Sequence, residues 1–479
     1  MNTPELSPRQ LESEIGVRLD RLPLSRFHIT VLIVASLSLL FDTLDTVLTG
    51  FVLAVVRPEW GFDVVWIGII SAVGLAGYWL GALTGGFAAD KYGRRAVVLY
   101  TLIAYSFISV SRGFTDGVTS FMILNFLTWI FVGVESSVIP PYLAELWPAR
   151  LRAKFSGWMM MFFALGIGAS PLWAAAIIPN FGWEWAFFLT APFALLFGFM
   201  RRYLPESPRW LARNGQNALA LQTVSEIEKK VNAHPLGRPS STQDSKASAP
   251  EQKTDADGTE SNLRARDLLS AQYLPRSIML WIAWFAQYGV TYAFLTFVPT
   301  LLVLSGVTVT KSLTYSVVIY IAYVPGYALG GYLADLLDRK WLIVLAFSGT
   351  AIFGTSFAFM NDPTAIMVFG GLTTFFSGLG ATGVYTYTPE LYPTEIRATA
   401  MGIASAWGRI GSISLLLIFG IFAASQSRLF LFVIADGFLI AGILAVAIFG
   451  PKTRMQSLDV TAAVSSTESA IVGPRQSSV

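Results

Sequence analysis

Asp42 and Asp45 stand three residues apart inside a long apolar run, LLFDTLDTVLTGFVLAVV. In a helix that spacing puts both side chains on one face. A carboxylate at the centre of a bilayer costs roughly 2.5–3.5 kcal/mol on insertion scales, which makes it a functional candidate by default. Burial and a neighbouring negative charge both disfavour the ionised form. Such a pair can therefore take up and release a proton near neutral pH. Glu135 is a further acid within an apolar run, FVGVESS. It is an inner proton or gating candidate, or else it packs against Arg150 or Arg152. Arg409, in SAWGRIGS, is the one cation deep in such a run, and Asp436 lies in the next. At 1.5 Å per residue, Arg409 sits about 18 Å from one end of its run and Asp436 about 12 Å from the other. The two are then level, and two readings stand: a buried Arg409–Asp436 pair, or an Arg409 whose planar fork holds a substrate carboxylate.

A second constellation is aromatic. In WIAWFAQYGVTYAFLTFVP, Trp284, Tyr288 and Tyr292 recur every four residues, with Gln287 beside them, and a later run adds Tyr385 and Tyr387. An aromatic wall with few polar tips suits a small ring-containing solute. The bland alternative is packing or lipid contact. Other chemistry is missing. The chain has no cysteine and only two histidines, His28 and His234, so thiolate or histidine metal sites, disulfides and a cysteine nucleophile fall away. No metal, cofactor or enzymatic activity is expected. A net charge of +3 is small for a nucleic-acid binder, and none is expected as a partner.

These residues need apolar helices to carry them. Of the 479 residues, 54% are apolar and 13% charged, against roughly 25% charged in a soluble domain. Apolar runs cover 28–56, 64–88, 96–111, 118–140, 155–178, 184–203, 277–304, 313–334, 341–360, 364–388, 397–424 and 428–450. Most are long enough to cross a core of roughly 30 Å as helices. Twelve spans put both termini on one side. Lysine and arginine gather there, except for Arg57, Arg112, Lys311 and Arg428 opposite and Arg409 within a span. Positive charge marks the cytoplasmic side, so the termini and the long loop are expected to be cytoplasmic. The expected divisions are a tail over 1–27, six helices over 28–203, a partly disordered loop over 204–276, six helices over 277–450 and a disordered tail over 451–479. Residues 215–231 fit a short amphipathic helix. The composition of 234–262 cannot bury enough surface to fold.

The halves repeat. GGFAADKYGRR (85–95) aligns with GGYLADLLDRK (330–340), and Glu145-Leu-Trp-Pro…Arg152 with Glu390-Leu-Tyr-Pro…Arg397, both at an offset of 245 residues. The first of these segments resembles the signature of the major facilitator superfamily. PESPRW (205–210) and PELYPTEIRA (389–398) resemble its sugar-porter-like branch, which includes organic-acid and nicotinate-type proton symporters. Phe41-Asp42-Thr43 resembles the first-span motif of the aromatic-acid proton symporters.

The resemblance implies an all-α membrane protein: twelve transmembrane helices in two six-helix, parallel-repeat halves. It implies Asp42 as the proton site. Related symporters carry arginine in span 4, where this chain has Asn125, so the basic partner of Asp42 is expected to be lost. Gly86, Asp90, Arg94, Glu145, Arg152, Asp335, Arg339, Glu390 and Arg397 are expected to form a conformational latch for alternating access. Gly86 would allow close helix approach, Glu145 would pair with Arg152, and Glu390 with Arg397. Asp338 stands where the first copy has Gly93.

The expected function is proton-coupled uptake of a small, aromatic or nicotinate-like carboxylate. Its partners would be the solute, protons and the bilayer, with a monomeric carrier in a bacterial inner membrane. Proton-coupling candidates are Asp42, Asp45 and Glu135, and solute contacts are Gln287, Tyr288, Tyr292, Tyr385 and Arg409. Gly157, Gly166, Ser170 and Pro171 approach the glycine-proline pattern of drug exporters; they are read as a helix bend, with efflux of amphipathic compounds as the alternative. A non-transporting membrane sensor is the other.

Overall fold

The computed structural model describes residues 8–190, 192, 204–233, 265–423 and 428–453. Among these there is no strand. Sixteen α-helices follow in order: α1 (Pro8–Asp20), α2 (Arg26–Trp60), α3 (Val64–Tyr92), α4 (Arg94–Arg112), α5 (Val118–Leu146), α6 (Arg152–Phe181), α7 (Trp183–Phe188), α8 (Pro208–Arg213), α9 (Asn217–Ala233), α10 (Leu274–Leu304), α11 (Val309–Ile321), α12 (Tyr323–Leu336), α13 (Arg339–Phe359), α14 (Pro363–Glu390), α15 (Thr394–Ala423) and α16 (Arg428–Phe449). Among the described residues, ten helical stretches are long and apolar enough to cross a membrane, with α11 and α12 together forming one of them. The more polar α4 occupies the place of the third span. Most of the sixth span, the 234–262 segment and the tail after Met455 lie outside the described residues. The described helices follow the order expected of a twelve-span, all-α chain.

Two compact units result. The first comprises Met1–Leu48, Val73–Gly166 and Ala176–Gly258, and the second comprises Thr49–Ala72, Ile167–Ala175 and Thr259–Val479. Small residues in Thr49–Ala72 and Ile167–Ala175 allow helix backbones to approach closely. Within the second unit, a Cβ on Gly50 would meet Thr296 O at 3.1 Å, and one on Gly168 would meet Ile321 Cα at 3.4 Å.

The 245-residue repeat is visible in the packing of each unit. A Cβ on Gly81 would strike the carbonyl of Ile130, and one on Gly133 the carbonyl of Tyr78, so α3 and α5 touch backbone to backbone. At the equivalent positions Gly326 meets Phe375, and Gly378 meets Tyr323. Gly86 is not part of this seam. Nothing lies within 4 Å of its added Cβ, and the close approach belongs to Gly81 and Gly85.

In the first unit, α1 is a helix rather than a polar tail. Its Leu11, Ile15 and Leu19 are buried, as are Leu211 of α8 and Val224 and Ile227 of α9. Arg18 forks onto Glu228 at 2.6 and 2.9 Å, and Arg213 donates to Glu12 at 2.5 Å. The Glu228 hydrogen bond holds the Arg18 guanidinium above its ordinary range. The short amphipathic helix expected over 215–231 is α9.

The segment PESPRW serves the start of α4. Glu206 Oε1 accepts from the backbone N–H of Arg94, Arg95 and Ser207 at 3.0, 3.1 and 2.9 Å. A carboxylate here meets the positive end of the helix. Gly93 must be glycine: its φ is 93°, and a Cβ would lie 2.5 Å from Glu206 Oε2. In the second repeat Asp338 caps α13 with its own side chain, accepting from Lys340 N at 3.1 Å. The substitution of Gly93 by Asp338 between copies is thus an exchange of an external cap for an internal one. Glu206→Ala is expected to destabilise the first unit by about 1–2 kcal/mol, lowering the thermal unfolding midpoint in detergent.

Prolines in the second unit have compensations. Pro299 cannot donate to Leu295 O, and the Tyr320 hydroxyl donates to that carbonyl at 2.5 Å. Pro325 interrupts the long span at Ala322, between α11 and α12. In contrast α6 runs unbroken through Ser170 and Pro171.

Candidate functional site

The acids of α2 lie in the first unit and are buried. Asp42 is 4% exposed and Asp45 1%. Asp45 is ion-paired with Arg112, the last residue of α4, which is fully buried. A cation suits that place, because the negative end of a helix dipole lies there. Ser109 Oγ donates to Asp45 Oδ1 at 3.3 Å and accepts from Arg112 at 3.0 Å. Arg112 also donates to Asn125 Oδ1 at 3.4 Å, and its guanidinium lies 4.2 Å from the Phe187 ring centre.

Arg112, expected among the cations opposite the termini, is an interior residue. It gives Asp45 a basic partner from α4, where α5 carries Asn125. The sequence held one hint: Arg112 is among the few cations that break the charge bias between the two sides. Glu135 is 1% exposed, and Thr101 Oγ1 donates to it at 3.4 Å. Arg150 and Arg152 are engaged elsewhere. Arg150 donates to Leu22 O at 3.1 Å, and Arg152 pairs with Asp20 at 3.3 Å.

In the second unit the aromatic face forms as the four-residue spacing requires. Trp284 and Tyr288 stack at 5.1 Å with planes 14° apart, and Tyr292 continues the row at 6.4 Å. Tyr385 of α14 meets Trp284 edge-on at 4.9 Å. Trp284 is fixed by donating its indole N–H to Thr388 Oγ1 at 2.8 Å. Arg409 of α15 lies 5.6 and 5.7 Å from the ring centres of Tyr288 and Tyr292, and donates to the Tyr292 hydroxyl at 3.0 Å. Tyr288, Tyr292, Tyr385 and Arg409 therefore converge.

Gln287 does not join them. Its amide donates to Ser377 O at 2.9 Å and Thr291 Oγ1 at 3.1 Å, on the side of α14. Tyr387 is also elsewhere, donating to Pro451 O at 2.7 Å. The Arg409–Asp436 pair is not formed, and Asp436 accepts from the Thr355 hydroxyl instead. Equal depth along two helices did not bring the side chains together, because the α10 tyrosines hold Arg409.

The two signature clusters are built alike, each within its own unit. Arg94 pairs with Asp90 at 2.7 Å and Glu145 at 3.5 Å. Arg339 pairs with Glu390 at 3.0 Å and Asp335 at 3.9 Å. The expected partnerships of Glu145 with Arg152 and Glu390 with Arg397 are replaced. Both of those arginines turn back onto the carbonyl five residues earlier, Arg152 onto Trp147 O and Arg397 onto Tyr392 O, each at 3.3 Å.

The chain is similar to known proteins over nearly its whole length. The profile of a family described as "Sugar (and other) transporter" matches residues 36–464. The niacin transporter of Acinetobacter baylyi is 31% identical over 444 residues, 92% of this chain and 98% of that protein. The 4-hydroxybenzoate transporter of the same organism is 26% identical, over 82% of this chain and 84% of that protein. In fold the chain is similar to the crystal structure of a D-xylose-proton symporter, with a TM-score of 0.69 at 21% identity over 91% of this chain and all of that one. With the apolar helices, the paired repeat and the buried charges, these matches make the protein a multi-pass membrane transporter of metabolites, not an enzyme. It belongs to the sugar (and other) transporter family of the major facilitator superfamily.

Proposed function

We propose that the protein takes up a small aromatic carboxylate together with a proton, by alternating access, across a bacterial inner membrane. The observation that carries this reading is Arg409 laid against Tyr288 and Tyr292. A guanidinium beside tyrosine rings offers a planar charged fork for a carboxylate and π faces for its ring. Both named relatives are transporters of ring carboxylates, niacin and 4-hydroxybenzoate. Asp42 carries the proton, being buried one turn from the Asp45–Arg112 pair. Glu135 is a gating acid nearer the basic ends of the helices. The Arg94 and Arg339 clusters govern the conformational cycle, since they tie helix ends together at the basic side. The termini face the cytoplasm, as the lysine and arginine bias requires, and the carrier works as a monomer.

Binding tests the solute class. Trp284 stacks on Tyr288 and so reports on this wall by its fluorescence. Nicotinate and 4-hydroxybenzoate are expected to change that emission saturably in purified protein, whereas xylose and a cationic amphiphile leave it unchanged. A response to the cation but to neither acid would favour export of amphipathic compounds.

A further inference from the structure

We propose that Asp45 and Arg112 form a fixed, internally neutral ion pair that takes Asp45 out of proton exchange and leaves Asp42 as the titrating acid of α2. The inference deepens the proton-coupled reading and rests on it for the role of Asp42.

The donors around Asp45 carry the argument. Its carboxylate faces Arg112 and the Ser109 hydroxyl. Hydrogen bonds and an opposite charge both favour the ionised carboxylate. Arg112 is equally committed. Its fork spans Asp45, Ser109 and Asn125, and its plane rests on Phe187. Side-chain exposures of 0% for Arg112 and 2% for Asp45 place both charges away from bulk solvent. Breaking such a pair strands a buried charge, whereas neutralising both members does not.

The groups seen facing the pair come from four elements. On α2 there is Asp42 itself, and on α4 Tyr105 and Arg112. From α5 comes neutral Asn125, and from α7 the ring of Phe187. Glu135 of α5 lies ten residues, roughly 15 Å, along the helix from Asn125. Asn125 has a defined part here. Its Oδ1 accepts from Arg112, and a second cation at that position would unbalance the pair. With Asp45 neutralised, Asp42 faces no net charge from its neighbour one turn away. Two acids three residues apart thus have different tasks.

The test reads protonation directly. Infrared spectra of purified protein, taken as a function of pH, show the C=O band of a protonated carboxylic acid. The Asp42 band is identified as the one that disappears in Asp42→Asn. In Asp45→Asn and in Arg112→Gln, the charge facing Asp42 changes by one unit. The Asp42 band is expected to be displaced by about one pH unit or more in each. Arg112→Gln should add a second titrating band, from Asp45. The double variant Asp45→Asn/Arg112→Gln restores neutrality at nearly constant volume and should bring the Asp42 band back near its wild-type position. An Arg112→Gln spectrum identical to wild type would overturn the proposal. So would a folded double variant whose Asp42 band stays displaced. Should either single variant fail to fold, the double variant and the charge-preserving Arg112→Lys, which should keep the wild-type titration, decide the matter. If the spectra behave as expected but no proton gradient drives uptake, the pair stands and the symport reading falls.

Discussion

Arg409→Gln is expected to weaken binding of an aromatic carboxylate by about 30-fold while barely changing affinity for the matching carboxamide. A hydrogen bond to a charged group contributes roughly 1.5–3 kcal/mol, and each 1.4 kcal/mol is about tenfold in affinity. Glutamine keeps a donor and much of the side-chain length but removes the charge. Arg409 rests on the Tyr288 and Tyr292 rings and donates to the Tyr292 hydroxyl, and glutamine keeps a donor for that hydroxyl. The variant should therefore fold. The ring of the solute would still meet the Trp284–Tyr288 stack, which is why the uncharged amide serves as the control. Titrating both ligands against tryptophan emission of purified protein measures the difference. Equal losses for acid and amide would mean that Arg409 shapes the wall and holds no carboxylate.

Asp42→Asn is expected to abolish accumulation driven by a pH gradient while leaving exchange of labelled for unlabelled solute in place. Asparagine resembles the protonated acid in charge and volume. A carrier fixed in that state can bind and reorient when loaded, but it has no proton to release on the far side. The environment is suited to this role, with Asp42 4% exposed beside an ion pair that is itself neutral. Uptake assays in proteoliposomes, run as net flux and as exchange, separate the two activities. Gradient-driven accumulation that persists in the variant would move the proton site, with Glu135 next in line.

Much of this arrangement was legible in the sequence, and the parts that were not share a cause. The spans follow from apolar runs, because burial in a bilayer is a property of each segment. The repeat follows from two motifs at one offset, and the structure shows the same offset in Gly81 with Gly326 and Gly133 with Gly378. The Trp284–Tyr288–Tyr292 row follows from helical spacing alone. What failed was pairing between segments. Equal depth suggested Arg409 with Asp436, but depth fixes only one coordinate and helix rotation decides the rest. Arg112 looked like a loop cation because it ends an apolar run, yet the run ends inside the protein. Gln287 sits next to Tyr288 in sequence but 100° around the helix, so it bonds to Ser377. Glu206 caps a helix 112 residues before it, a contact that no local pattern encodes. The helix over Pro8–Asp20 escaped notice for the same reason: its apolar stripe is buried with Leu211 and Val224, far along the chain.

The central claim, proton-coupled uptake of a ring carboxylate, is tested most directly by following solute and protons together in one preparation. Wild-type protein is reconstituted into liposomes with a more acidic exterior, labelled nicotinate or 4-hydroxybenzoate is added, and external pH is recorded alongside internal label. The account predicts label inside above the level that passive distribution of the acid gives in protein-free liposomes. It also predicts alkalinisation outside that begins on adding solute, with both lost when a protonophore collapses the gradient. Uptake that stops at the passive level whatever the gradient, with no solute-dependent proton movement, would contradict it.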